Sequence, residues 1–245
     1  MKSIDVNTGW GFWPLQKFAY QKIEEMAGAL SAVGVEESWV SAIESIAYPE
    51  TECFDRKLAE AIRGHSLFRF VKTVNPLFPN WKGEVALMTE AFGSPIALKV
   101  YPNYHDYNIG DLGVVAEFAL ENNLPLLIQV RVNDERNQPT FMQVKATPSA
   151  EIAALSRAFP ELRIIALCAY TNELSTLASG SDNLFVEPSF FDSYDPLMFA
   201  AEKIEPSRLV FGSHAPFLYP MASALKLRMT ELKSAAAIGA RASLF

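Results

Sequence analysis

Short apolar runs alternate with segments of helical period along almost the whole chain, and no Gly/Ser-rich linker or low-complexity stretch interrupts them. That alternation limits the fold more than any other feature, because parallel strands need long crossovers and an α-helix is the usual one. Strand candidates lie at 3–7, 36–43, 68–74, 96–101, 124–130, 163–168, 184–186 and 209–212. Helix candidates lie between and after them, at 15–32, 55–63, 84–92, 112–121, 149–159, 172–178, 196–203 and 219–232. Caps support three of these: Asp111, Thr147-Pro148-Ser149, and Asp195 followed by Pro196 at the first helical position. Several strands are apolar on both faces, as in a sheet covered by helices. The expected fold is therefore α/β, a (β/α)8 TIM barrel in a single domain over 1–245, and 245 residues is close to the roughly 250 typical of that barrel. An open doubly wound sheet would want a Gly-rich phosphate loop, but Gly9-Trp10-Gly11 runs into Phe12, Trp13 and Pro14, which breaks the GxGxxG spacing.

Composition narrows the partners. A net charge of -7 argues against nucleic acid, whose backbone is bound by clustered Lys and Arg. The apolar segments are too short or too charged to span a bilayer, and the opening MKSIDVNTGWGF has neither a continuous apolar run nor a small-residue cleavage site. The expectation is a cytoplasmic protein with a small-molecule substrate or ligand, no nucleic acid and no membrane partner, with homo-oligomerisation left open. Cys53 and Cys168 are too few for a disulfide framework and are expected to be reduced.

A barrel places its functional residues where strands end and βα loops begin. His214 follows the strand-like LVFG run and is a candidate acid/base, against the alternative of a structural histidine. Lys99 lies inside an apolar strand, where an unpaired ammonium is costly, so it belongs to a polar pocket or to a core ion pair. Glu187 ends LFVE and is a candidate general base or the partner of Lys99. Gln129 and Arg131 share one strand face, and a planar guanidinium there suits an anionic ligand, unless Asp134 or Glu135 already neutralises it. Tyr104 and His105, with Asn103 and Asp106, follow the fourth strand and are capable of contacting substrate, with a solvated loop histidine as the alternative for His105. Cys168 is a ligand contact or a small core residue. Trp10, Phe12 and Trp13 read as a pocket wall or as helix-packing aromatics, and His65 falls at the opposite, stability end of the barrel.

Pieces of the chain, in order and at matching spacing, resemble the amidohydrolase-related (amidohydrolase 2) family of TIM-barrel metal-dependent hydrolases and decarboxylases. Ile4-Asp5-Val6-Asn7-Thr8-Gly9 stands where the family has I-D-x-H-x-H, Ala97-Leu98-Lys99-Val100-Tyr101-Pro102 resembles G-x-K-L-Y-P, and 124–129 stands where it has L-P-V-x-I-H. The local match at 209–216, LVFGSHAP, is to L-L-F-G-S-D-x-P. The resemblance implies metal ligands at positions that here read Asn7, Gly9, Gln129, Cys168 and His214, of which only Cys168 and His214 suit zinc. Two ligands are fewer than a zinc site ordinarily takes, so the expectation is no metal ligands and no cofactor, with a divalent ion such as zinc disfavoured. The functional expectation is an amidohydrolase-like hydrolase or decarboxylase-type lyase that has lost the metal centre and acts on a small, carboxylate-bearing molecule. Its residues would be His214, Lys99 and Glu187 for catalysis, and Asn7, Tyr104, His105, Gln129, Arg131 and Cys168 for binding. The alternative is a non-catalytic ligand-binding or scaffold protein on the same barrel.

Overall fold

The computed structural model describes residues 3–141 and 143–245. Seven strands form one parallel sheet in chain order: β1 Ser3–Trp10, β2 Val35–Ala42, β3 Phe68–Thr73, β4 Ala97–Val100, β5 Leu126–Gln129, β6 Ile164–Leu167 and β7 Leu184–Val186. Helices follow the strands: α1 Ile23–Ala32, α2 Glu52–Ala61, α3 Trp81–Phe92, α4 Gly113–Glu121, α5 Ser149–Ala158, α6 Leu174–Ala178, α7 Pro196–Ala201, α8 Pro220–Met229 and α9 Ala235–Ala240. One face of the sheet packs on the helices through Leu98, Val100, Leu126, Ile128, Ile164 and Ala166. The alternate residues Val71, Ala97, Leu127 and Ile165 form a second apolar cluster with Val6, Trp39 and Val210, which is the interior of the curled sheet. The sheet is that of an α/β barrel.

The eighth strand expected at 209–212 is not a strand. Its segment instead makes isolated parallel bridges to both ends of the sheet, Leu209 with Val186 of β7 and Ala215 with Thr8 of β1. A continuous ladder fails because side chains capture the amides: Ser213 N donates to Asp5 Oδ1 (2.9 Å) and Ala215 N to Ser213 Oγ (3.1 Å). The helix expected at 15–32 begins only at Ile23, since the residues before it are drawn over the end of the barrel, where Trp13 and Phe18 are buried. The helix expected at 219–232 ends at Met229, and α9, which sequence reasoning did not anticipate, packs against β1. Of the expected caps, Asp195 accepts from Met198 N (3.2 Å) as anticipated. Asp111 instead completes a capping box begun by Asn108 one short turn earlier, and Thr147 bonds Gln129 O (3.0 Å) rather than its own helix.

Candidate active site

The interior of the barrel changes character between two layers. Trp39, Val71, Ala97, Leu127 and Phe185 face inward in the lower one. Two residues further along the same strands, on the same face, stand Ser41, Thr73, Lys99, Gln129 and Glu187. A register shift in β1 between Asp5 and Thr8 adds to this layer. Such an irregularity re-aims a side chain, and here consecutive Val6 and Asn7 both serve the interior. Cys168 (φ 58°), just past β6, and His214 (φ 55°), in the bridging segment after β7, adopt the left-handed region, which costs a non-glycine residue about 1–3 kcal/mol. Both turns aim their side chains at Asn7.

Asn7 is the hub. Its Oδ1 accepts from Lys99 Nζ (3.1 Å), and its Nδ2 lies 3.1 Å from Glu187 Oε2, 3.2 Å from Cys168 Sγ and 3.3 Å from His214 Nδ1. Two amide protons thus face three acceptors. The carboxamide bridges a buried amine to a buried carboxyl group, so Glu187 is the partner of Lys99 through Asn7 and not directly. Glu187 also accepts from Cys168 N (3.1 Å), Ser189 Oγ (2.9 Å) and Ser189 N. Its carboxyl is nonetheless held above the usual range because full burial outweighs those donors. Lys99 donates as well to Ser41 Oγ (3.3 Å), which lies 3.5 Å from Tyr101 OH. Burial brings its ammonium down to about 8 against the pull of Cys168, Glu187 and Asp5.

Cys168 is buried, with donors from Asn7, Gln129 Nε2 (3.1 Å) and Ser189 Oγ (3.5 Å) around its sulfur. Burial pushes its thiol up to about 12. Gln129 donates also to Arg131 O (2.6 Å), leaving Gln129 Oε1 buried without a partner. The acid/base role expected of His214 is corrected by its surroundings. Nε2 donates to Val132 O (2.7 Å), Nδ1 faces the Asn7 amide, and burial followed by the charge of Lys99 takes the imidazole down to about 3, so it is a neutral acceptor at ordinary pH. Arg131 is likewise not a free anion receptor. Its fork grips Glu173 (2.8 and 2.5 Å) and Cys168 O (2.6 Å), and Tyr170 stacks 3.7 Å from the guanidinium carbon.

His105 lies off the cavity. Its Nε2 donates to Ser45 O (2.9 Å), and burial lowers its basicity. Tyr104 is half-buried against the aromatic cover of the mouth. That cover is Trp13, Phe18, Ile43, Ile46, Tyr101, Val132 and Phe217, with Phe217 stacked on His214 at 4.9 Å. Trp13 belongs to this cover, whereas Trp10 packs with the helices under Lys57 and Phe12 is exposed. Beneath the cover, Asn7, Ser41, Lys99, Tyr101, Gln129 and His214 line a cavity of about 10 Å³, room for roughly one water. His65 stands apart, 3.7 Å from Glu24. Sequence reasoning missed Ser41, Ser189, Glu173 and Asp5. The two-residue step beyond Trp39 could have found Ser41, but nothing local points to Glu173.

No family model matches the chain, and no curated protein matches it in sequence. Solved structures match it in fold. A 5-carboxyvanillate decarboxylase from Novosphingobium aromaticivorans, complexed with manganese and a nitrobenzoic acid, superposes with TM-score 0.71 at 12% identity, covering 97% of this chain and 93% of that one. A dihydroxybenzoic acid decarboxylase from a Polaromonas species, with bound manganese and an inhibitor, gives 0.70 at 13% identity over 99% and 95%. A Staphylococcus aureus protein described as an amidohydrolase gives 0.73 at 12% identity over 99% and 98%. The chain therefore has the fold of the amidohydrolase-related decarboxylases and amidohydrolases to which it is similar. The expectation of no cofactor is corrected by two neighbours of this fold, each of which holds manganese. The side chains at this mouth do not fit such an ion. Among the described residues no three His, Cys, Asp or Glu could share one, Asn7 Oδ1 is taken by an ammonium, and His214 Nδ1 is turned toward an amide N–H. Among the described residues, no helix is long and apolar enough to cross a membrane.

Proposed function

We propose that this chain is a single-domain (β/α)8-barrel enzyme of the amidohydrolase-related type, a hydrolase or decarboxylase-type lyase acting on a small carboxylate-bearing molecule at the barrel mouth. The observation that carries this reading is the convergence of Asn7, Lys99, Gln129, Cys168, Glu187 and His214, from separate strands and the 209–215 segment, on one buried network beside one cavity. Convergent polar groups around a cavity, several with displaced pKa values, are the physical mark of a reaction site. Within it Glu187 holds or releases a proton, Lys99 presents its amine at the cavity wall, and His214 and Gln129 fix the orientation of Asn7 and Cys168. Decarboxylase neighbours with aromatic acids or their analogues make small aromatic carboxylates the first compounds to try.

A second reading, a non-catalytic ligand-binding protein, draws on the small room beneath the aromatic cover and on the engagement of both His214 nitrogens. A panel of aromatic and aliphatic carboxylates and amides, each with and without added manganese, separates the two. Release of CO2 or of an amine, reduced on the order of 10²-fold or more in Glu187→Gln, is the expected result. Raised melting temperatures without turnover would support the binding reading, and a panel that gives neither would sink both.

A further inference from the structure

The surroundings of the Lys99 amine are unusual for a group meant to remain an ammonium. Its two acceptors, Asn7 Oδ1 and Ser41 Oγ, are neutral, and among the described residues no carboxylate lies within ion-pair distance. The acidic groups nearest it, Glu187 and Asp5, act only at longer range. Tyr101 covers another side, with its ring centroid 5.3 Å from Nζ. His214 on the far side of Asn7 is neutral. The amine borders the cavity, which has room for about one water, and the Ser41 and Tyr101 hydroxyls lead away from it as a chain of proton carriers.

We propose that Lys99 is a nucleophilic amine that condenses with the carbonyl carbon of a small aldehyde or ketone at the barrel mouth to form an imine. This deepens the preceding reading and rests on it for the location of the site. An oxo acid, with a carboxylate and a carbonyl in one small molecule, satisfies both. In the step, the nitrogen lone pair of the neutral amine forms a C–N bond as the carbonyl π electrons move to oxygen. A proton passes from nitrogen to that oxygen, giving a carbinolamine. The C–O bond then breaks, and the hydroxyl leaves with a second proton as water. Amine and carbonyl thus become imine and water with no change of oxidation state, and Ser41 and Tyr101 are placed to carry the protons. A buried amine held near 8 keeps a larger neutral fraction at neutral pH than a lysine in water.

The test uses the full-length protein with glyoxylate or acetaldehyde and cyanoborohydride, which reduces an imine to a stable secondary amine, followed by peptide mapping. The expected result is one adduct at Lys99, formed at least about tenfold faster near pH 7 than on the exposed Lys17, Lys22 and Lys145. It should be absent in Lys99→Arg and slowed in Tyr101→Phe. Mapping the wild-type protein localises the adduct even if Lys99→Arg fails to fold. Labelling confined to the exposed lysines, or labelling of Lys99 no faster than theirs, overturns the proposal. An adduct without turnover of any carboxylate leaves the amine chemistry standing and removes the hydrolase or lyase reading, whereas turnover without an adduct does the reverse.

Discussion

Two lysines on neighbouring strands are both buried, and the barrel treats them in opposite ways. Lys72 of β3 points to the helix side, where Asp55 Oδ2 (2.7 Å), Glu84 Oε2 (3.1 Å), Thr51 Oγ1 (2.7 Å) and Thr73 O (2.8 Å) surround its ammonium. The next residue, Thr73, pairs in register with Lys99 of β4, which points inward to two neutral acceptors and a cavity. Lys72 therefore fastens α2 and α3 to the sheet, and every group around it is used. Lys99 touches no carboxylate among the described residues and meets Glu187 only through the Asn7 bridge. Burial alone does not distinguish a structural cation from a reactive one; what distinguishes them is whether a carboxylate touches the ammonium.

The comparison breaks most easily at Lys72. Lys72→Met strands two buried carboxylates, and removing one partner of a buried pair costs about 3–5 kcal/mol, so urea unfolding should show a loss of that size. A loss below about 1 kcal/mol would mean that Lys72 is no more structural than Lys99. Arg131 belongs with Lys72 in this respect. Arg131→Lys keeps the charge but loses the fork on Glu173, and a fall of about 1.5–3 kcal/mol is expected, with no change in the response to added acids. A mutant of unchanged stability that no longer responds to acids would instead return Arg131 to the ligand.

Lys99→Met should differ from both, with stability at pH 7 within about 1 kcal/mol of wild type, since lost hydrogen bonds and relieved burial of charge oppose each other. Its signature is in the pH profile. The folded pKa of Lys99 is about 8 against an ordinary 10.5, so between those values the unfolded chain binds more protons and stability rises with pH. Wild type should show that rise and Lys99→Met should lack its share, which thermal melts in steps from pH 7.5 to 10.5 would reveal. Identical profiles would show that Lys99 is not the titrating group. The smallest effect is expected at the half-buried Arg56–Glu52 pair (2.6 Å), one helical turn apart on α2, where Arg56→Ala should change stability by no more than about 0.5 kcal/mol and so calibrates what a solvent-screened ion pair contributes.

Much of the fold was legible because a strand has a period of two and its turn signals are local. Seven of the eight expected strand positions are strands, and the step from Ala97 to Lys99 and from Leu127 to Gln129 on one face was enough to send both polar residues to the same end of the barrel. The eighth expected strand was not legible as mere bridges, because the carboxylate that takes the Ser213 amide belongs to Asp5, 208 residues away. His214 and Arg131 were legible as residues of the mouth, but their roles were not, since those depend on Val132 O and on Glu173, which no spacing pattern connects to them.

The sequence by itself determined which residues of a regular strand share a face, because side-chain direction along a strand follows from backbone geometry within a few residues. Only the tertiary structure decided which of those residues were already satisfied. Lys72 finds Asp55 and Glu84 on two different helices, whereas Lys99 reaches the Glu187 carboxyl only through Asn7, on a strand 92 residues earlier. Charge and hydrogen bonding act over a few ångströms in space, and chain separation places no limit on which groups come that close.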